Sequence, residues 1–402
     1  MSHRSSLRVD RLEALAPQRN TPASAALPGH VALFCVGGAV RDALLDRPSS
    51  DLDFLVVGAT PETMVRAGFR PVGRDFPVFL HPQTHQEFAL ARTERKSGRG
   101  YHGFVFQADA SVRLEDDLAR RDLTINAMAV DEQGALHDPF DGSKDLLEGR
   151  LRHVGEAFSE DPVRVLRLAR FLARWPEMSI DPTTLELCRE MQASGELESL
   201  VAERVWHELQ RGLSEPSPEA MVSFLDSIHA WEGITGASTP SPNALALLRQ
   251  LTQDRQEPSL RAGLLWGLHA PQKLLHVIPK AIAEWRALVE EGLHSQGLRA
   301  SLSDQDNASA IGRAALVEAT IDWAKACDLF RRSERLDGLM ALFECLYPGQ
   351  MQGFKRLAAL LPELISLPVG SVAQIAAQRH ESVEQAVRTH RINWLLQALE
   401  RQ

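Results

Sequence analysis

The stretch Phe34–Val57, FCVGGAVRDALLDRPSSDLDFLVV, constrains this chain more than any other. An apolar run (Leu33 to Val36) meets a double glycine, Gly37-Gly38, then a short helical segment, a polar loop and a second apolar run. The pattern predicts strand, tight turn, helix, loop, strand. The second strand carries Asp51 and Asp53, and side chains two apart on a strand share a face. Paired carboxylates repel unless a cation lies between them, and an all-oxygen donor set suits Mg²⁺. Taken alone, an Asp-x-Asp pair is more often a solvated strand end. The glycine turn shifts that balance. Glycine lets backbone approach a ligand closely, a helix start presents unpaired N–H groups to anions, and Arg41 adds positive charge one turn on. A phosphate cradle joined to a metal pair points to metal-assisted chemistry on a nucleoside triphosphate.

At 402 residues the chain has room for two or three domains. Its net charge of −9 means that any nucleic acid must be met by a local basic face. Cys35, Cys188, Cys327 and Cys345 form no C-x-x-C pair, which favours a reducing compartment over a zinc site or disulfide framework. No apolar run spans a bilayer and no signal-peptide core opens the chain, so a cytoplasmic protein is expected.

Residues 1 to about 30 read as a loosely held extension, with a short helix at Val9–Leu15. Thr60 and Pro61 start a helix that ends before Gly68. Phe69–Val72, Pro77–His81 and Glu87–Ala91 read as strands, and Glu87 is placed to join the aspartates from a neighbouring strand or to be an ordinary surface acid. Arg92–Gly103 is glycine-rich and basic and fits a loop. Leu114–Ala129 is expected to be one helix, with an ion pair among Arg120, Arg121 and Asp122 and with Asn126 facing away from the apolar run. Asp138–Gly142, DPFDG, reads as a turn and hinge. Beyond about Asp145 no strand is expected. A helix capped by Ser159 carries Arg164, Arg167, Arg170 and Arg174 on one face. No acidic stripe on that helix answers them, so an anionic ligand is expected to relieve their repulsion. The remainder reads as amphipathic helices broken by prolines, with Trp206, Trp231, Trp266, Trp285 and Trp323 as core. Lys355, Arg356, Arg379, Arg388 and Arg391 are candidates for RNA phosphates.

GGAVRD at 37–42, Asp51 and Asp53, RRDLTINAMA at 120–129, DPFDG at 138–142 and EDPVRVLRLARF at 160–171 occur in one order. Together they resemble the bacterial tRNA nucleotidyltransferases (CCA-adding enzymes) of the class shared with poly(A) polymerases. The resemblance is strong over residues 31 to 175 and fades by about 215. It implies an α+β chain: a nucleotidyltransferase head with a mixed sheet and helices at 31–145, a helical neck at 146–215, and a helical body and tail at 216–402 for tRNA, behind the 1–30 extension. It implies Mg²⁺ on Asp51 and Asp53, with Glu87 as a third catalytic carboxylate. Gly38 and Arg41 would meet the triphosphate, Arg121 the nucleotide, and Asp122 would help to select ribose. Asp161 and Arg164 would read the base of CTP or ATP, and Arg167 and Arg170 would add further nucleotide contacts. The implied reaction is two-metal transfer to the tRNA 3′ end with release of pyrophosphate. No HD phosphohydrolase arrangement is seen, so no phosphatase activity is expected. Partial CC or A addition, poly(A) synthesis, a non-catalytic RNA-binding relative and a small-molecule nucleotidyltransferase stand as alternatives.

Overall fold

A computed structural model describes residues 6–48, 51–72, 78–96, 104–107, 110–254, 257–294, 310–346 and 352–401. The chain divides into two compact units, residues 1–212 with 223–234, and residues 213–222 with 235–402. The first is a mixed sheet with helices and the second is helical, giving the expected α+β class.

The sheet runs β3-β4-β5-β2-β1-β8-β9, from β1 (Ala32–Val36), β2 (Asp53–Val57), β3 (Arg70–Val72), β4 (Val78–Leu80), β5 (Glu87–Leu90), β8 (Ala129–Val130) and β9 (Leu136–His137). β1 throughout and β2 after Asp53 are apolar runs, as expected of central strands covered on both faces. They pair antiparallel, and β2 pairs parallel with β5. The turn after β1 leads into α2 (Gly38–Leu44), which follows α1 (Pro22–Ala25). Thr60 caps α3 (Pro61–Arg66) by accepting the Thr63 N–H, as the sequence indicates.

Several expectations need correction. The N-terminal segment is packed, not loose. Leu12 is fully buried, Arg19 donates to Glu132 and to the Leu27 and Val31 carbonyls, and Thr21 bonds the ring of buried His81. Glu132 and His81 lie 113 and 60 residues along the chain from their partners, so local composition gave no sign of them. Thr93–Lys96 (β6), inside the expected loop, is a strand that pairs antiparallel with Phe104–Gln107 (β7) just beyond it. Residues 97–103 of that loop, like the strand start at Pro77, fall outside the described residues.

The expected 114–129 helix is three pieces: α4 (Leu114–Ala119), a 3-10 turn at Thr124–Asn126, and β8. The apolar run after Asp122 is buried on all sides, and Asp122 takes the Leu123 N–H that a continuing helix would have used. Asp138 caps α5 (Gly142–Glu148) by accepting the Gly142 and Ser143 N–H groups. A Cβ on Gly142 would sit 2.1 Å from the Thr124 carbonyl oxygen, so DPFDG is a packed corner. Arg150–Leu151 (β10) and Ser179–Ile180 (β11) form a two-residue parallel pair, too short to show periodicity.

Ser159 bonds the Glu156 carbonyl in a 3-10 turn, and α6 begins later, at Val163, running to Arg174. α7 (Pro182–Ala193) and α8 (Ala202–Ser214) follow. In the second unit, helices including Pro258–Leu268, Ala310–Ala326 and Val383–Glu400 close around Leu260, Trp285, Val317, Leu339, Leu361 and Leu395. The five tryptophans expected in core are all buried. Among the described residues no single helix is long and apolar enough to cross a membrane, although a pair bent by 51°, Ala359–Ser366 with Gly370–Gln378, passes that test by length and composition.

Candidate active site

A cleft of 990 Å³ in the first unit is lined by Gly38, Arg41, Asp51, Asp53, Arg121, Asp122, Asp161, Arg164, Arg167 and Arg170. Every sequence-predicted site residue but one is therefore brought to a single cavity. The exception, Glu87, lies directly across from Asp53 in the parallel β2–β5 register but does not line the cleft.

The floor is the glycine turn. Gly37 has φ +74°, a conformation that glycine adopts without strain, and its N–H donates to the Met128 carbonyl at 3.1 Å. A Cβ there would stand 2.9 Å from Arg121 Nη1, so the missing side chain makes room for that guanidinium. Arg121 is fixed by the Asn126 carbonyl and by Asp117, each at 3.3 Å. Its Nε is buried and has no hydrogen-bond partner among the described residues. Burial alone would raise the Asp117 carboxyl, but Arg120 and Arg121 more than offset it and hold it below the ordinary carboxylate range. Arg41 is buried at 5% exposure. It donates to Asp42 (3.0 Å) and Asn126 Oδ1 (2.5 Å), and its guanidinium lies 5.4 Å from the Phe171 ring and 4.9 Å from Trp175.

β2 begins at Asp53, so Asp51 sits on the approach to the strand and not within it; both are exposed. Although its side chain is open to the cleft, desolvation by the surrounding protein raises the Asp53 carboxyl, with Arg121 opposing and Asp51 beside it adding to the rise. Such a site favours a cation. Among the described residues no three acidic, histidine or cysteine side chains stand together at ligand distance. Two protein carboxylates, with substrate oxygens and water completing the shell, is the arrangement Mg²⁺ commonly takes, so the donor set fits that ion without Glu87 in its shell.

The arginine face of α6 is not unanswered, as the sequence alone implied. Arg167 donates to Asp122 at 2.8 Å, Arg170 to Glu208 at 2.7 Å and Arg174 to Asp42 at 3.5 Å. Arg164 donates to the Ala157 and Arg120 carbonyls, each at 2.6 Å. Asp122, buried, also accepts the Leu123 N–H and the Asn126 amide. Burial would raise its carboxyl, but the Arg167 charge and these bonds hold it well below the usual range. Asp122 thus ties α6 to the turn beneath it.

α8 was missed. Arg204, His207, Glu208 and Arg211 all line the cleft. Their spacing of three, one and three places them along one side of a helix, a signal that was available but that pointed to no ligand by itself. Arg204 clasps Asp161, whose carboxylate also accepts the Val163 N–H.

Residues 33–152 match the family described as Poly A polymerase head domain. That match places the head, with the mixed sheet of the first unit, in the poly(A) polymerase-like class of head domains. Among curated proteins, the chain is 64% identical over 193 residues to the Multifunctional CCA protein of Dechloromonas aromatica (strain RCB), a match spanning 48% of this chain and 47% of that protein. It is 41% identical over 370 residues to the CCA-adding enzyme of Bordetella bronchiseptica (strain ATCC BAA-588 / NCTC 13252 / RB50), spanning 90% of this chain and 96% of that enzyme. The chain belongs to the CCA-adding enzyme family. Among solved structures, the Thermotoga maritima CCA-adding enzyme complexed with tRNA_CCA has the same fold, with TM-score 0.64 and 21% identity over 90% of this chain and 87% of that one. A CCA-adding enzyme in complex with ATP aligns with TM-score 0.68 at 20% identity, over 91% of this chain and 86% of that one. Nucleotidyltransferases of this kind generally use divalent metal ions.

Proposed function

We propose that this chain adds CCA to the 3′ end of tRNA from CTP and ATP, without a nucleic-acid template and with release of pyrophosphate. The observation that carries this reading is the single cleft in which the glycine turn and its aspartates meet Asp161 and Arg164. One cavity can then hold a triphosphate at one end and a base at the other.

Asp51 and Asp53 hold Mg²⁺. Bound there, the ions supply Lewis acidity toward the attacking hydroxyl and the phosphate oxygens. The 3′-oxygen forms its bond to the α-phosphorus as the bond to the bridging oxygen of pyrophosphate breaks. Gly38 lets the triphosphate approach the backbone. Arg121, whose guanidinium lines the cleft, binds phosphate oxygen and offsets charge there. Arg41 adds charge from beneath the turn. Glu87, beside Asp53 on the next strand, keeps local potential negative in support of cation binding.

Cytosine and adenine each present an exocyclic amine beside a ring nitrogen acceptor, and uracil and guanine present a carbonyl beside an N–H. A carboxylate accepts and a guanidinium donates, so Asp161 and Arg164 select the first pair over the second. Asp122 and Arg167 form the ribose side of the wall, and Arg170, bonded through Nε to Glu208, stands behind it. The described part of the 1–30 extension, residues 6–30, braces the head at 31–145, 146–215 form the neck, and 216–402 bind tRNA. The buried thiols of Cys35 and Cys188 suit a reducing compartment such as the cytoplasm.

The test is incubation of tRNA lacking its CCA end with CTP, ATP and Mg²⁺, followed by sequencing of product ends. CCA termini are expected. Arrest after CC, or runs of A, would replace this reading with partial addition or poly(A) synthesis.

A further inference from the structure

Asp161 does not lie within α6; it precedes the helix, with φ −124° and ψ 104°. Nothing in its own segment except the Val163 N–H, at 3.2 Å from Oδ1, fixes its carboxylate. The strong contact comes from another helix. Arg204 Nη2 on α8 stands 3.0 Å from Oδ1 and 2.8 Å from Oδ2. Both side chains keep about a quarter of their surface open, 28% for Arg204 and 25% for Asp161, and both line the cleft. The pair is therefore built into the cavity wall and is not sealed behind it.

A carboxylate offers about four acceptor directions. The Val163 N–H and the Arg204 contact occupy both directions on Oδ1, and Arg204 takes one on Oδ2. One direction on Oδ2 is left, which matches a single amine N–H from a base. The surroundings also matter. Asp161 lies close enough to Arg167 for the two charges to interact, so an unclamped carboxylate has another arginine to turn toward.

We propose that Arg204 is a positioning residue for base selection: it clamps Asp161 so that one acceptor faces the exocyclic amine of an incoming CTP or ATP. The proposal rests on the reading of Asp161 as a base-contacting residue. Arg204 itself need not touch the nucleotide. Its loss lets Asp161 rotate toward Arg167, which weakens selection without removing the carboxylates or the triphosphate site.

The test uses the full-length enzyme, tRNA lacking its CCA end, and kcat/KM for CTP, ATP, UTP and GTP with Arg204→Ala, Arg204→Lys, Asp161→Ala and the double variant. Arg204→Ala should lower the preference for CTP and ATP over UTP and GTP by about tenfold, the scale of one charge-assisted hydrogen bond. The change should fall mainly in KM. Arg204→Lys, which keeps a charged donor at the carboxylate, should restore much of it. Asp161→Ala with Arg204→Ala should discriminate no worse than Asp161→Ala alone, because Arg204 acts through Asp161. Arg204→Met keeps the aliphatic stem and stands in if the alanine variant fails to fold, with the same expectation. Unchanged discrimination in Arg204→Ala or Arg204→Met, alongside a loss in Asp161→Ala, would overturn the clamp and leave base reading by Asp161 standing. Full additivity in the double variant would also overturn it. Unchanged discrimination in Asp161→Ala would remove the underlying reading, and the clamp with it.

Discussion

The pair Arg170–Glu208 offers a quantitative check on how the neck is held. Its Nε and Oε2 are 2.7 Å apart, and the side chains are only 6% and 5% exposed. Removing one member of so buried a pair leaves the other charge without its partner, at a cost of about 3–5 kcal/mol. Replacing both with apolar residues of similar size is often neutral or stabilising. Glu208→Leu and Arg170→Met should each destabilise the first unit by roughly that amount, with Glu208→Leu eased slightly if Arg167, 3.9 Å from Glu208, relaxes. The double variant should recover most of the loss. A urea-denaturation cycle supplies the coupling energy, expected near the upper end of about 0.5–3 kcal/mol. Because the chain has two compact units, hydrogen exchange at α6 and α8 amides should report the unfolding step. Single-variant costs below about 1 kcal/mol would show a screened pair of the surface kind and refute the argument. The double variant should also keep KM for ATP and CTP within a few-fold. A large rise would mean that Arg170 touches nucleotide directly.

Asp51→Ala with Asp53→Ala should abolish transfer, by about a thousandfold or more on the scale of lost transition-state electrostatics, while filter binding shows tRNA still held; unchanged transfer would remove the metal assignment. Asp117 and Asp122 have carboxyls held below their unfolded values, so their stabilisation is fully present above the unfolded pKa of about 3.9 and is lost as pH falls from there through the lower folded values. Stability should therefore decline from about pH 5 downward, and Asp122→Asn should flatten that decline. Gly142→Ala should cost about 2–3 kcal/mol or more by overpacking, since its Cβ meets backbone at Thr124; a melting temperature unchanged within a degree would argue against the packed corner.

What the sequence disclosed and what it hid divide along a physical line. The glycine turn, the Thr60 cap and the apolar strands are local, and each appears where its own residues place it. The cleft residues were legible because short motifs carried them, and the family resemblance assigned them to one nucleotide. The hidden part is tertiary. Arg167, Arg170 and Arg174 find acids 45, 38 and 132 residues away, so a stripe that looked unbalanced on one helix is balanced in space. The broken 114–129 segment failed for a related reason. A run buried on every side, Thr124 and Asn126 included, has no exposed helical face to display, and the Asp122 carboxylate captured the backbone N–H that would have continued the helix. β6 escaped because Thr93–Lys96 has no apolar alternation, and β10 because two residues cannot show one.

The carboxylate partners of α6 have one further consequence. A wall of bare guanidinium groups attracts any polyanion and releases counterions as it does so. Here the counterions are Asp122, Glu208 and Asp42, covalently part of the chain. Binding at this wall is an exchange of partners, and a ligand must outcompete groups already at hydrogen-bond distance. Inorganic pyrophosphate or a stray nucleic-acid strand brings charge and little shape. A nucleotide brings base, ribose and phosphate at fixed spacing. The wall is thereby tuned to geometry over charge, and nucleotide affinity at it should vary less steeply with salt than the number of arginines suggests.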